Sequence, residues 1–221
     1  MGEDAPSSTG KILKVILSQS KDPQLNLLTE KTTFFDVENG NSPETLYFWV
    51  NDECLVAGQI RSPKYGWYDE KLAEEMKIPV YRRLTGGGVV YHDKGNLNWS
   101  LFLKTNGRFR SPEKIFQQGS RFMIEALVHL GLRAYFAPPN RIEVDGKKVS
   151  GLAARSGLRC LLVHGTLLLN SNLKTLNSLC IPPPASPEVA NLETWMPGIT
   201  FQQVIDSVIF IMKKEGYFII T

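Results

Sequence analysis

Three consecutive glycines between apolar runs constrain this chain more than any other feature. Gly86-Gly87-Gly88 lies inside Arg82-Arg83-Leu84-Thr85-Gly86-Gly87-Gly88-Val89-Val90-Tyr91-His92-Asp93-Lys94-Gly95-Asn96. Glycine has no side chain to bury and loses the most backbone entropy on folding, so such a run marks a close approach of backbone to something else. The plainest reading is a turn between a strand at Val80 to Leu84 and another at Val89 to Tyr91. Arg82 and Arg83 add a second reading, because guanidiniums beside exposed amides make an anion site for phosphate or carboxylate. Strand rather than helix follows the glycines, which matches neither a P-loop nor a dinucleotide fingerprint.

The 221 residues suffice for one substantial domain, and 43% hydrophobic with 21% charged residues is ordinary for a globular chain. A net charge of +3, spread along the sequence, gives no footprint for nucleic acid. Cys54, Cys160 and Cys180 form no CxxC pair, which argues against a disulfide framework or a zinc site. Met1 to Gly10 has neither the basic start and apolar core of a signal peptide nor the arginines of a transit peptide. With no apolar run of membrane-spanning length, the expectation is a cytoplasmic protein with no membrane partner, a flexible N-terminus over 1–10 and a single domain over 11–221.

Local signals set out the elements. Lys11 to Leu17 reads as a strand. Asp22-Pro23 opens a helix, with Leu25, Leu28, Thr32 and Phe35 as its expected apolar face. Leu46 to Val50 and Cys54 to Ala57 suggest a hairpin about Asn51-Asp52-Glu53. An aromatic loop, Lys64 to Tyr68, precedes a short helix from Asp69 to Met76. Leu97, Trp99, Leu101 and Leu103 alternate with Asn98, Ser100 and Phe102 as a half-buried strand does. Ser111-Pro112 opens the longest helix, which Gly131 stops. Arg141 to Val144, Asp145-Gly146 and Lys147 onward read as a hairpin, and Leu158 to Asn170 as an apolar run broken by His164-Gly165. Pro182 to Pro187 is a proline-rich loop, and Thr200 with Gln203 forms a capping box for a last amphipathic helix. Strands cluster instead of alternating with helices, so the fold class is α+β, a mixed and mainly antiparallel sheet flanked by helices.

Three segments hold chemistry. Besides the arginine–glycine turn, these are Asp145-Gly146-Lys147-Lys148-Val149-Ser150-Gly151 and Val163-His164-Gly165-Thr166-Leu167-Leu168. Lys147 and Lys148 alternate sides on a strand, so one faces inward and needs an anion, unless both lie on a hairpin edge. A lone His164 in an apolar strand reads as a satisfied core residue. His92-Asp93 could form a base held by a carboxylate, but no nucleophile motif accompanies it.

Together these segments resemble the lipoate–protein ligases of the lipoate/biotin ligase superfamily. Arg82 to Ser100 is similar to the family's RRxxGGGxVxHDxGNLxxS signature, Asp145 to Gly151 to DGxK[VI]SG, and His164 to Leu168 to HGTLL. Leu46 to Asp52 and Pro197 to Thr200 are weaker echoes. The resemblance implies that ATP, with magnesium carried by the nucleotide and not by protein ligands, activates lipoate or octanoate to an acyl-adenylate. The acyl group then passes to a lysine on a carrier domain, of a 2-oxoacid dehydrogenase E2 or a glycine-cleavage H protein. It further implies Lys148 as the catalytic cation, and Arg83, Gly86, Gly87, Gly88, Val89, Val90, Tyr91, Asn140 and Lys148 around the nucleotide. Around lipoate it implies Trp49, Arg83, Val89, His92, Lys148, Gly151, His164, Gly165 and Thr166, with His92 and Asp93 bracing the loop.

Departures are Asn140-Arg141, where the family carries Asn-Asp, and Gln59-Ile60, where it carries Gln-Asn. Many members continue into a small accessory domain, so a separate accessory subunit is one expectation. Rival readings are transfer from a preformed donor, a thioester route through Cys180 as in octanoyltransferases, and a non-catalytic relative that only binds lipoate or carrier domains.

Overall fold

The computed structural model describes residues 11–59, 67–106 and 111–221. Its elements run β1 (Lys11–Leu17), α1 (Pro23–Glu38), β2 (Glu44–Trp49), β3 (Cys54–Ala57), β4 (Trp67–Tyr68), α2 (Glu70–Glu75), β5 (Val80–Arg82), β6 (Val89–His92) and β7 (Asn96–Lys104). They continue with α3 (Pro112–His129), β8 (Ala134–Ala137), β9 (Arg141–Val144), β10 (Lys147–Ser156), β11 (Cys160–Leu168), α4 (Leu173–Leu179), β12 (Cys180–Ile181), α5 (Phe201–Lys214) and β13 (Tyr217–Ile220).

Helix starts follow the capping chemistry of the sequence. Asp22 accepts from the amides of Gln24 and Leu25, Asp69 from Leu72, and Ser111 from Lys114. Thr200 and Gln203 complete a reciprocal capping box at α5. Each such bond satisfies an amide that the first helical turn leaves without a partner.

Eight strands form the main sheet in the order β13-β1-β2-β7-β11-β10-β9-β8, parallel at the β13-β1-β2 end and antiparallel from β2 to β8. Helices flank it, so the expected α+β class is the observed one. On one face α3 and α5 pack together and bury Trp99, Leu127, Val163 and Val208 with the odd-numbered core positions of β7. On the other, α1 lies across β2, β7 and β11 and encloses Phe34, Tyr47, Trp49 and Phe102. β7 is therefore buried on both faces, not half-buried as its alternation predicts.

Two expectations fail for tertiary reasons. β2 and β3 are not a hairpin: β2 lies between β1 and β7, while β3 is the centre of a separate three-stranded sheet, β5-β3-β6. Asn51 makes the corner, its buried amide bonded to His92 and to the thiol of Cys54. The inward face of α1 is also different from the apolar one expected. Leu25, Leu28 and Phe35 are exposed, whereas Asn26, Glu30, Thr33, Phe34 and Val37 are buried. Asn26 is fully engaged there, with Tyr47, Ser20, Val50 and Asn51. A polar residue such as Asn26 is stable on an inward face because its groups find partners there.

The strand expected to reach Leu84 ends at Arg82, and β13 and α4 were not expected. Of the expected aromatic loop, Lys64 to Tyr68, residues 64–66 lie outside the described residues, as does the N-terminal stretch, and Trp67–Tyr68 form strand β4 instead.

Candidate active site

The glycine turn joins β5 to β6, which do not pair with each other but flank β3. Arg83 shapes it. Its guanidinium is buried and makes four bonds, to Thr85 Oγ1 (2.9 Å), the carbonyl of Val56 (2.9 Å), and the carbonyls of Gly86 (2.7 Å) and Gly88 (3.0 Å). Because a trans peptide points C=O and the next N–H in opposite directions, drawing the Gly86 carbonyl inward turns the Gly87 amide outward. Among the described residues the amides of Gly86, Gly87 and Gly88 donate to nothing in the protein. Gly87 sits at φ +91°, open to glycine and strained for other residues. Gly58 lies so close beneath that a Cβ there would run into the Gly87 carbonyl. Gln59 adds a bond to the Arg83 carbonyl (2.7 Å). Burial pushes the guanidinium down to about 10, with Glu30 pulling the other way, so it stays a cation at neutral pH.

This turn forms one wall of a cavity of about 470 Å³, within the range of small-molecule sites. The other walls come from β7, β10 and β11 and from the segment around Cys180 to Val189. Lys148 enters it from β10, next to a bulge between Lys148 and Ser150 that shifts the strand's register. Its amine makes no hydrogen bond or ion pair among the described residues, whereas neighbouring Lys147 pairs with Glu188 at 3.0 Å. A Cβ on Gly151 would stand 3.3 Å from the Lys148 amine, so the glycine leaves the space that the lysine crosses. Burial holds this ammonium below the usual lysine range; the nearby Cys180 pulls it up and Arg141 pushes it further down. Both ends of the Asn98 amide and the hydroxyl of Ser150 are buried in the same cavity without a partner. Unsatisfied buried donors and acceptors cost about 1–3 kcal/mol each. An unpaired cation and orphaned amide and hydroxyl groups around one cavity are complementary to an anionic, hydrogen-bonding ligand.

The two cavity histidines are both fully bonded, in opposite ways. His92 Nδ1 accepts from the Asn51 amide (3.2 Å), and its Nε2–H donates to Thr166 Oγ1 (3.2 Å). Burial, with Arg83 and His164 nearby, lowers it to about 3, so it stays neutral. Asp93 does not touch it, accepting instead from the amides of Gly95 and Asn172. The pair is thus no acid–base couple. His164 Nδ1 donates to Glu30 Oε1 at 2.6 Å, and its Nε2 lies 2.8 Å from Thr85 Oγ1. It is the satisfied buried histidine that its apolar strand predicts, and it also lines the cavity.

Of the residues expected at the site, Trp49, Arg83, Gly87, Gly88, Val89, Val90, Tyr91, His92, Asn140, Lys148, Gly151, His164, Gly165 and Thr166 all line this cavity. Gly86 is the exception: it is not among the lining residues, and its carbonyl faces Arg83. Arg141, standing where an acid was expected, is held along its strand by Glu143 at 2.6 Å. Sequence reasoning missed Asn98, Ser150, Leu27 and the wall formed by Pro182 to Val189. It also missed Glu30, a charged residue in an ordinary helical stretch with no local signal. A signal existed for Asn98: a carboxamide between Leu97 and Trp99 in a strand that turns out to be covered on both sides.

Residues 22–212 match the family described as the lipoyl protein ligase A/B catalytic domain. The chain is 33% identical over 215 residues to the lipoate-protein ligase A of Bdellovibrio bacteriovorus, covering 89% of this chain and 60% of that one. It is 32% identical over 211 residues to the lipoate-protein ligase A of Psychrobacter cryohalolentis, covering 89% and 58%. It therefore spans about three-fifths of these curated relatives. Among solved structures, a lipoate-protein ligase A bound with ATP superposes with a TM-score of 0.80 at 21% identity, over 96% of this chain and 90% of that one. A bipartite lipoate protein ligase from Thermoplasma acidophilum does so with 0.77 at 20% identity, over 96% and 88%. The family match extends over the glycine turn, the lysine strand and the His164 strand that together surround the cavity, and the chain belongs to the lipoyl protein ligase A/B catalytic domain family.

Proposed function

We propose that the chain is the catalytic domain of an ATP-dependent lipoate–protein ligase, acting on lipoate or octanoate and on a lysine of an E2 or H-protein carrier domain. One observation carries the reading: the partnerless amine of Lys148 shares a cavity with the outward amides of the glycine turn and the orphaned Asn98 and Ser150. The relatives' names and the ATP-bound fold neighbour support it.

In the first step a carboxylate oxygen forms a bond to the α-phosphorus as the bond to pyrophosphate breaks. Negative charge grows on the phosphoryl oxygens, where fixed donors that need no reorganisation are worth most. Lys148 and the Gly87 and Gly88 amides are such donors. The anionic substrate also supplies the counter-charge that burial denies Lys148, so binding favours its ammonium form. In the second step the carrier's lysine amine adds to the acyl carbonyl, AMP leaves with the bonding pair, and the amine loses a proton. Lys148 polarises that carbonyl and remains a charge donor throughout. Leu27, Trp49, Val56 and Leu168 supply apolar wall for the acyl tail. Magnesium, which the family resemblance implies, would ride on the nucleotide's phosphates.

The Thermoplasma acidophilum ligase is bipartite, which supports the reading that an accessory part assists adenylation. The test is to incubate the protein with magnesium, ATP, lipoate and a lipoyl domain and to weigh the carrier. A lipoyl mass increment supports full ligase activity. An increment from lipoyl-AMP but not from ATP plus lipoate assigns adenylation to an accessory part. No increment from either donor overturns the proposal.

A second reading has one observation behind it: Cys180 lines the cavity near Lys148. Burial pushes its thiol up to about 11 despite the pull of Lys148, which makes it a poor nucleophile at neutral pH. Carrier modification from an octanoyl-carrier donor, lost in Cys180→Ser, would favour the thioester route.

A further inference from the structure

Glu30 is fully buried and belongs to no motif of the site, yet it terminates a run of directed hydrogen bonds that reaches the glycine turn. Ser100 Oγ donates to Glu30 Oε1 at 2.5 Å and accepts from Trp49 Nε1 at 3.3 Å. His164 Nδ1 donates to the same carboxylate oxygen at 2.6 Å. At the other end, Arg83 Nε donates to Thr85 Oγ1 at 2.9 Å, which leaves the Thr85 hydroxyl its own proton to give; His164 Nε2 stands 2.8 Å away. One buried anion and one buried cation already balance across this run, so a neutral imidazole completes it without an uncompensated charge. The second carboxylate oxygen of Glu30 is buried with no partner, a cost that a residue kept only for packing would shed.

The run also crosses the fold. Glu30 and His164 belong to α1 and the main sheet, whereas Arg83 and Thr85 lie in the loop that leaves the three-stranded sheet.

We infer that Glu30 is a positioning residue. As the buried anion behind His164, it fixes the Nδ1–H tautomer, so that Nε2 accepts from Thr85 and pins the arginine–glycine turn, with its outward amides, to the main sheet. Its consequence for activity rests on the acyl-adenylate reading above; the histidine state does not.

The experiment compares the parent with Glu30→Gln and Thr85→Val, with Thr85→Ser as the variant that keeps the hydroxyl. Nitrogen-15 spectra at neutral pH should show His164 of the parent protonated at Nδ1 and unprotonated at Nε2. In Glu30→Gln that preference is lost and the Gly87 and Gly88 amide resonances shift. Thr85→Val moves the same glycine resonances, and Thr85→Ser restores them. In the adenylation assay, Glu30→Gln and Thr85→Val each raise KM for ATP about tenfold, as expected for losing one charge-assisted hydrogen bond, with kcat changed less. Their double variant is no worse than the poorer single one. A parent His164 carrying its proton on Nε2, or glycine resonances unmoved in both Glu30→Gln and Thr85→Val, overturns the inference. If Glu30→Gln does not fold, the Thr85 pair and the parent spectrum decide it. A parent that forms no acyl-adenylate sinks the proposed activity, while the spectra still judge Glu30.

Discussion

The two faces of β7 and β11 are made by the same residues in alternation, yet they obey different rules. Toward α3 and α5 the strands present Leu97, Trp99, Leu101, Leu161, Val163 and Leu167, packed so closely that a Cβ on Gly165 would sit 2.8 Å from the Trp99 ring. Toward α1 and the cavity they present Asn98, Ser100, His164 and Thr166, all buried. Among the described residues the first face carries one orphaned polar atom, Trp99 Nε1; orphaned Asn98 and Glu30 atoms belong to the second, and Ser150 joins Asn98 at the cavity. Two stacked layers thus divide the labour: dispersion and the hydrophobic effect hold one, and the other carries the buried polar groups, of which Asn98 is left unpaired at the cavity.

This division can be broken on either side. Trp99→Ala should cost about 3–5 kcal/mol of unfolding free energy, read by denaturant titration, with the folded fraction still able to bind substrate. Equal losses of stability and binding would contradict the separation. Lys148→Ala should lower carrier modification by about 10²–10³-fold, the scale for removing one preorganised charge donor, while the melting temperature stays level or rises. Normal carrier labelling by that variant would remove Lys148 from the mechanism. Asn98→Leu should stabilise the protein by about 1 kcal/mol, since it removes two unsatisfied polar ends. Its melting temperature should respond less than the parent's to added lipoate and nucleotide; a destabilised variant that keeps the full ligand response would show Asn98 to be part of the core instead.

The smallest effect lies at the far end of the β10–β11 hairpin, which both faces share. Glu38 accepts from the amides of Leu158, Arg159 and Cys160. Burial would raise its pKa, but these three amides outweigh it and the carboxyl is held below 4.5. The folded state therefore binds this proton less readily than the unfolded chain does. Its stabilisation is complete above about pH 4.5 and fades as pH falls through the lowered value. Because Glu38 is only partly buried, the contribution is discounted to a few tenths of a kcal/mol. Melting curves of Glu38→Gln should lie slightly below the parent at pH 7 and converge with it in acid; a gap that widens in acid would reverse the sign.

Short-range chemistry was legible. Asp22, Asp69, Ser111 and Thr200 cap helices because a capping bond spans only two or three residues. The strand alternation in β7 and the Asp145-Gly146 turn were equally local. The glycine turn, the lysine segment and the His164 strand could be singled out because residues costly to place there leave a mark in any context, and all three border one cavity. The sequence by itself thus determined most of the elements, the starts of the capped helices and the residue types that any site must use.

Only the tertiary structure decided which way these parts face. The inward side of α1 was misread because apolar periodicity scores Leu25 and Leu28 above Asn26 and Glu30, while burial here is set by partners far along the chain: Asn51, Ser100 and His164. The division of β2 from β3 depends on strands contributed from far along the chain, by β7, 49 to 57 residues from its β2 partners, at one side and by β6, 32 to 38 residues from its β3 partners, at the other. Arg83 changed from an expected phosphate clamp to the brace that shapes the glycine turn, since its carbonyl partners are brought round it only by the fold. Hydrogen bonds between residues 134 positions apart, such as that from His164 to Glu30, have no local signature, because the partner's worth exists only after both are buried together.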